Sequence, residues 1–315
     1  MIHLRLTVPT DVVPAALAAL RGSEAVCNVV HLAGAVSKPA GDLVLCDVAR
    51  EHASVVVHEL TTLGLQARGS ITIDEVPTVL SESARQAELA APDLAFGDQV
   101  VWEDVQARTS EDTALSINFL EFMLIAAVLA GIGILLDSPI LIVGAMVVGP
   151  EFGPLAALCV ALVQRQRALA LRSLLALTAG FAAAIPVVYG VVLALKGLGI
   201  APDVFPDHPL TLFISRPDAY SILVAYLAGT AGILSLTSSK SGALVGVVIS
   251  VTTIPAAANI GVAAAYAEWT EVRGAVLQLT VNLVAIVAGG LARLAVQRRV
   301  YVRRVRRARA AALPS

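Results

Sequence analysis

The sequence predicts an α-helical polytopic membrane protein preceded by a small α+β domain, and three observations predict it. Of its 315 residues, 57% are hydrophobic and only 15% charged, with a mean hydropathy of +0.81, too apolar for a soluble chain of this length. Six apolar stretches, at 117–136, 139–163, 168–195, 219–236, 242–265 and 274–296, each have the ~18 residues or more that cross a ~30 Å hydrocarbon core. The charge is also divided: residues 1–115 hold 7 Lys/Arg against 16 Asp/Glu, and residues 116–315 hold 15 against 8, so the total of −2 conceals an acidic head and a basic body.

The head, residues 1–77, opens on a strict alternation. Ile2, Leu4, Leu6 and Val8 face one way and His3, Arg5 and Thr7 the other, the period of a half-buried strand. With no charged start and no long apolar core, a cleaved signal peptide is not expected, and the head is expected to stay in the cytoplasm. Val13, Ala16, Leu17 and Leu20 follow at helical spacing behind a Thr10/Asp11 cap, with Gly22 placed to end the helix. Residues 25–33 and 42–48 read as paired strands, His52 to Leu63 as a helix with Val56, Leu60 and Leu63 on one face, and Ser70 to Val76 as a last strand. The order βαββαβ is that of a ferredoxin-like sandwich. Such a fold serves as an assembly domain or as a small-ligand sensor, and the lack of a glycine loop or aromatic RNA-binding box favours the first.

Residues 78–115 are polar, with Pro92 and Gly97, and include an amphipathic piece in which Val100, Val101, Trp102 and Val105 stand among Asp98, Glu103, Asp104 and Arg108. They are expected to lie as a connector on the membrane surface, with Trp102 an interfacial anchor. Residues 116–296 form the six-span body, and basic residues in short loops orient it. Arg165, Arg167 and Arg172 follow the second stretch, Lys240 the fourth, and eight arginines from Arg293 to Arg309 the sixth. With both termini in the cytoplasm of a bacterial inner membrane, all of these lie inside, and the loops at 196–218 and 266–273 lie outside. The basic tail, 297–315, is read as a topology determinant that contacts anionic membrane lipids, and nucleic acid is not an expected partner.

The second stretch contains Gly149-Pro150-Glu151-Phe152-Gly153-Pro154, which places a carboxylate and helix breakers inside an apolar run. An ionised residue at the centre of a membrane helix costs roughly 2.5–3.5 kcal/mol on insertion scales, so a compensating site is expected. Short matches also relate the halves: Gly144-Ala145-Met146-Val147 to Gly242-Ala243-Leu244-Val245, and Pro154-Leu155-Ala156-Ala157 to Pro255-Ala256-Ala257-Ala258. Kept in order, they suggest a 3+3 inverted repeat, with chance similarity the alternative for matches this short. In inverted repeats the substrate or ion site commonly lies near the midplane where corresponding helices are broken. The expected site residues are therefore Gly149, Pro150, Glu151 and Gly153 from the second stretch, with Thr252, Thr253, Pro255 and Asn259 from the fifth. Glu151 would bind a coupling proton or cation or position a polar solute; the alternative is a carboxyl neutral or paired with an arginine such as Arg165 that only fixes packing. Asp137, with Ser138 and Pro139, reads as a turn in which Ser138 or Asp137 caps the next helix, and Asn282 as a residue that joins helices.

No His-Glu-x-x-His, Gly-x-Ser-x-Gly or nucleotide loop occurs in the sequence, so no enzyme activity and no cofactor are expected, and no metal is named. Cys27, Cys46 and Cys159 lack ligand or redox spacing and read as buried small residues. The segments Val101-Trp102-Glu103-Asp104-Val105, Leu115-Ser116 and Phe119-Leu120, and above all the run from Asp137 through Gly144-Ala145-Met146 and Gly149-Pro150 to Ala157, resemble a bacterial uncharacterised hydrophobic-domain family, domain of unknown function 389. The resemblance covers nearly the whole chain, implies the head and membrane core, and supplies no substrate. Many relatives carry Pro-Leu-Met-Gly-Pro where this chain has Gly149 to Pro154, so Glu151 departs from the family pattern. The function expected is a transporter or channel for a small polar solute or ion, working as a homo-oligomer. The alternative is a non-transporting scaffold or signalling subunit whose head recruits a partner.

Overall fold

The computed structural model describes residues 1–76, 79–90, 115–237 and 252–311. The chain divides into two compact units, Met1–Val105 with Val305–Ser315, and Gln106–Arg304. In the first unit the elements run β1 (Ile2–Val8), α1 (Val13–Arg21), β2 (Val26–Ser37), β3 (Ala40–Val48), α2 (Arg50–Thr62), a single turn α3 (Leu65–Arg68) and β4 (Ser70–Glu75). The antiparallel sheet has the order β2-β3-β1-β4, so the alternating first strand is central, with Leu4 opposite Cys46 on one side and Ile73 on the other. Its inward residues Ile2, Leu4, Leu6 and Val8 meet Val13, Ala16 and Leu20 of α1 and Val56, Val57 and Leu60 of α2 in one core. This is the expected βαββαβ order with one added turn.

Three local details differ from expectation. Helix α1 starts after Val12 with no side-chain cap, because Asp11 is drawn instead into a two-point ion pair with Arg68, at 2.7 and 2.9 Å. The β2–β3 hairpin extends further than residues 25–33 and 42–48, to Ser37 and Ala40. Asp42 fastens it by accepting from the Gly34 backbone N–H at 2.9 Å and pairing with His31 at 2.6 Å, and Gly34 has the left-handed φ of +65° that favours glycine. Helix α4 (Glu82–Ala90) buries Ala84 and Ala87 against Cys27 of β2, so the start of the connector packs on the sheet. Val100, Val101, Trp102 and Val105, read as its amphipathic piece, lie outside the described residues.

The second unit contains α5 (Ile117–Leu135), α6 (Pro139–Val148), α7 (Phe152–Gln164), α8 (Arg167–Gly197), a 3-10 turn (Leu212–Ile214), α9 (Ala219–Thr237), α10 (Thr253–Ala265) and α11 (Trp269–Ala311). Helices α5, α8 and α9 and the stretch Trp269–Arg299 of α11 are each long and apolar enough to cross a membrane, and α6 with α7, bent by 54°, makes a fifth candidate. Six were expected. The fifth expected stretch is described only from Thr252 onward, and the thirteen residues of α10 reach only ~20 Å at 1.5 Å per residue.

Large apolar side chains face outward on the spans: Phe122 and Ile125 on α5, Leu171 and Leu174 on α8, Leu223 and Leu227 on α9, Leu277 and Val284 on α11. A surface of that composition needs an apolar solvent, which marks a membrane protein. The interior is built from small residues instead, with Ala126, Ala127 and Ala130 of α5 buried beneath α6, α8 and α10.

The helix ends gather at two poles. At one, Asp137 accepts from the Leu210 and Thr211 backbone N–H groups at 3.2 and 3.0 Å and from the Thr211 hydroxyl at 3.0 Å, and the Tyr266 hydroxyl donates to Pro202 O at 2.8 Å. At the other, Arg298 donates to Val163 O and Gln297 to the Thr237 hydroxyl at 2.9 Å. The bent pair α6–α7 therefore runs from pole to pole, as one broken span.

Candidate functional site

The break falls where the backbone chemistry puts it. Helix α6 starts at Pro139 behind Ser138, whose hydroxyl accepts from Leu141 N at 3.4 Å, and stops at Gly149, whose extended ψ of 132° precedes Pro150. Glu151 then stands at the N-cap of α7 but does not cap it with its side chain. The carboxylate points across to the start of α10 instead: Oε1 accepts from the hydroxyl of Thr253, the first residue of that helix, at 2.9 Å. Glu151 is 1% exposed and Thr253 0%.

Two helix amino termini thus meet at one carboxylate. Each brings unpaired N–H groups and the positive end of its dipole, which favour negative charge beside them. The second oxygen, Oε2, has no hydrogen-bond partner among the described residues, so the carboxyl has room in its chemistry for a proton or a further donor. Close approach here requires glycine at 149, since a Cβ would stand on Ile254 Cδ1 and on Glu151 Oε2. Arg165, the alternative partner, ends α7 and makes no ion pair with Glu151 among the described residues.

The remaining expected site residues divide into two groups. Thr252 is at the N-cap of α10 and its hydroxyl accepts from Asn282 Nδ2 at 2.6 Å. Pro255 is buried in the first turn of α10, where its missing N–H removes a donor the helix could not use. Pro150 and Gly153 are half-buried beside the break and act through the backbone. Asn259, further along α10, makes no hydrogen bond to this junction: it is 1% exposed, and neither side-chain atom has a partner among the described residues.

Two features were missed. Gln278, also 1% exposed, donates from Nε2 to Asn282 Oδ1 at 3.3 Å. Its position four residues before Asn282 on an otherwise apolar helix was the signal that could have found it. Asp137 does not cap α6, a job that Ser138 does alone. With φ of +45° it turns its carboxylate to the 210–211 loop instead, 74 residues away at Thr211.

The model of a family described as Domain of unknown function (DUF389) matches residues 146–288, a range that takes in the α6–α7 break and the start of α10. An uncharacterised protein of the archaeon Methanocaldococcus jannaschii is 27% identical over 194 residues, 60% of this chain and 57% of that protein. The chain therefore spans less than two thirds of that relative's length, and the resemblance is not confined to bacteria. No solved structure matches the chain. The resemblance read from the sequence to the domain of unknown function 389 is thus matched by the family model over residues 146–288.

Proposed function

We propose that the protein is a membrane transporter or channel for a small polar solute or ion, acting at the junction of the two broken helices. The observation that carries this reading is the buried bond from Thr253 to Glu151, which joins the starts of α10 and α7 across 102 residues of chain. A carboxylate with one unpartnered oxygen, buried among helix ends, is costly unless it exchanges a proton or meets a solute. The proposal includes the inverted repeat: α7 and α10 are each thirteen residues long, each has proline at its third position, and they run from the junction to opposite poles. It also includes a homo-oligomer in a bacterial cytoplasmic membrane, both termini inside, with no covalent chemistry on the solute.

The test is flux in proteoliposomes under imposed proton, sodium and potassium gradients. Wild type should pass one of them, alone or together with a small uncharged solute supplied on one side, and Glu151→Gln should lose at least about tenfold of the rate or its pH dependence. A variant that behaves like wild type at every pH removes Glu151 from coupling. The scaffold reading draws on Val30 and Leu32, 44% and 46% exposed on edge strand β2. A stable cytosolic complex lost on deleting residues 1–78, with no flux, would decide for it.

A further inference from the structure

Beside the junction a cavity of ≈ 480 Å³ opens between the 3-10 turn, the start of α9 and α11. Its polar wall is made of Thr252, Asn282 and Gln278, the last two each 1% exposed. They form a chain in which Gln278 Nε2 donates to Asn282 Oδ1 at 3.3 Å and Asn282 Nδ2 to the Thr252 hydroxyl at 2.6 Å. One atom is left over: the Gln278 side chain lines this cavity, and its Oε1 is buried with no partner among the described residues. A buried amide oxygen without a donor costs free energy that a bound N–H or O–H would recover.

The rest of the lining restricts what can supply that donor. Leu212, Val224 and Ala225 are apolar, and Tyr220 adds a ring. The charged lining residues, Arg216 and Asp218, are exposed, and Asp218 already accepts from the Ser221 N–H and hydroxyl at 2.7 and 2.8 Å. Among the described residues the polar groups of the buried wall, Thr252, Asn282 and Gln278, are neutral. A charged ligand pressed against that wall, away from Arg216 and Asp218 at the exposed side, would lose its water and meet only dipoles, whereas a neutral one loses far less.

We propose that this cavity binds a small uncharged organic solute through an N–H or O–H donated to Gln278 Oε1, its apolar part lying on Leu212, Val224 and Tyr220. This names the solute class of the transporter proposed above and rests on that reading for the solute's role. Binding itself needs no gradient, so a failure of flux and a failure of binding are read separately.

The experiment titrates the full-length protein in detergent micelles with benzamide and three near-isosteres: benzoate, benzylammonium and acetophenone. Saturation-transfer NMR is the readout, with protein-free micelles as reference. Benzamide should saturate with a dissociation constant on the order of 1–10 mM, as suits so small a ligand, and bind at least about tenfold tighter than the anion, the cation and the ketone, which donates nothing. Gln278→Leu and, from the opposite wall, Val224→Trp should each weaken benzamide at least about tenfold while the melting temperature of the chain shows it folded. Absence of saturable benzamide binding overturns the proposal. So does benzoate, benzylammonium or acetophenone binding as tightly, or a folded Gln278→Leu protein that binds benzamide like wild type.

Discussion

At position 149 a hydrogen in place of a methyl group lets the α6–α7 break meet the start of α10. Added to Gly149, a Cβ would collide with Ile254 Cδ1 and Glu151 Oε2; the isoleucine tip can rotate, but the carboxylate can move only by leaving Thr253. Gly149→Ala is expected to cost ~1–3 kcal/mol, the range for overpacking a filled interior, and to lower flux. Adding Ile254→Ala should restore part of the melting temperature, read by thermal unfolding in micelles, because it removes one of the two collisions. Asp42 makes a different residue-scale case. The Gly34 backbone N–H and, next, the His31 side chain hold its carboxyl below the usual carboxylate range, and burial opposes them. A carboxyl whose folded pKa lies below its unfolded value of about 3.9 contributes stability that is fully present above that value and lost as pH falls through the folded one. Asp42→Asn should therefore lower head stability at neutral pH and flatten its loss below about pH 4. Far-UV circular dichroism melts of the full chain across that range check both.

Helices α9 and α11 pack backbone to backbone, which small residues permit and lipid does not oppose. A Cβ on Gly229 would strike Ile286 O, and one on Gly289 would strike Tyr226 O; neither carbonyl can rotate aside as a side chain would. Gly289→Val should therefore separate the pair, break the 3.3 Å bond from Thr230 to Gly289 O, and cost upwards of ~1–3 kcal/mol. A melting temperature equal to wild type would show that the helices tolerate the wider spacing. Elements of this kind differ in how far a sequence declares them. The period-two run Ile2 to Val8 announced β1, and Gly149-Pro150 announced the break between α6 and α7, because alternation and a missing N–H act on neighbours along the chain. The contact of Glu151 with Thr253 was legible only through the pairing of Pro154 with Pro255. The loop held by Asp137, the loss of Asp11 to Arg68 and the role of Gln278 were not legible, since each depends on a partner brought near by folding. Local patterns state what a residue can do; the partner decides what it does.

For the whole second unit, the arrangement of two poles turns orientation into a measurable property. The Asp137, Pro202, Thr211 and Tyr266 contacts gather at one pole and the Val163, Thr237, Gln297 and Arg298 contacts at the other. The loops at the first pole carry Asp203 and Asp207, and the second carries Arg165 and Arg167, so the orientation proposed above, which follows the positive-inside rule, would put the second pole in the cytoplasm. The native cysteines Cys27, Cys46 and Cys159 are buried, which leaves a thiol introduced at an exposed loop position as the reactive one. Asp203→Cys and Arg165→Cys replace exposed residues, one near each pole. In intact cells a membrane-impermeant maleimide should label the first and not the second, and permeabilisation should make the second reactive. The reverse pattern would keep the two-pole bundle and invert its orientation in the membrane. Labelling of both positions in intact cells would break the bundle itself, because α6 and α7 could then no longer be one broken span, and the junction at Glu151 would lose its place between the two sides.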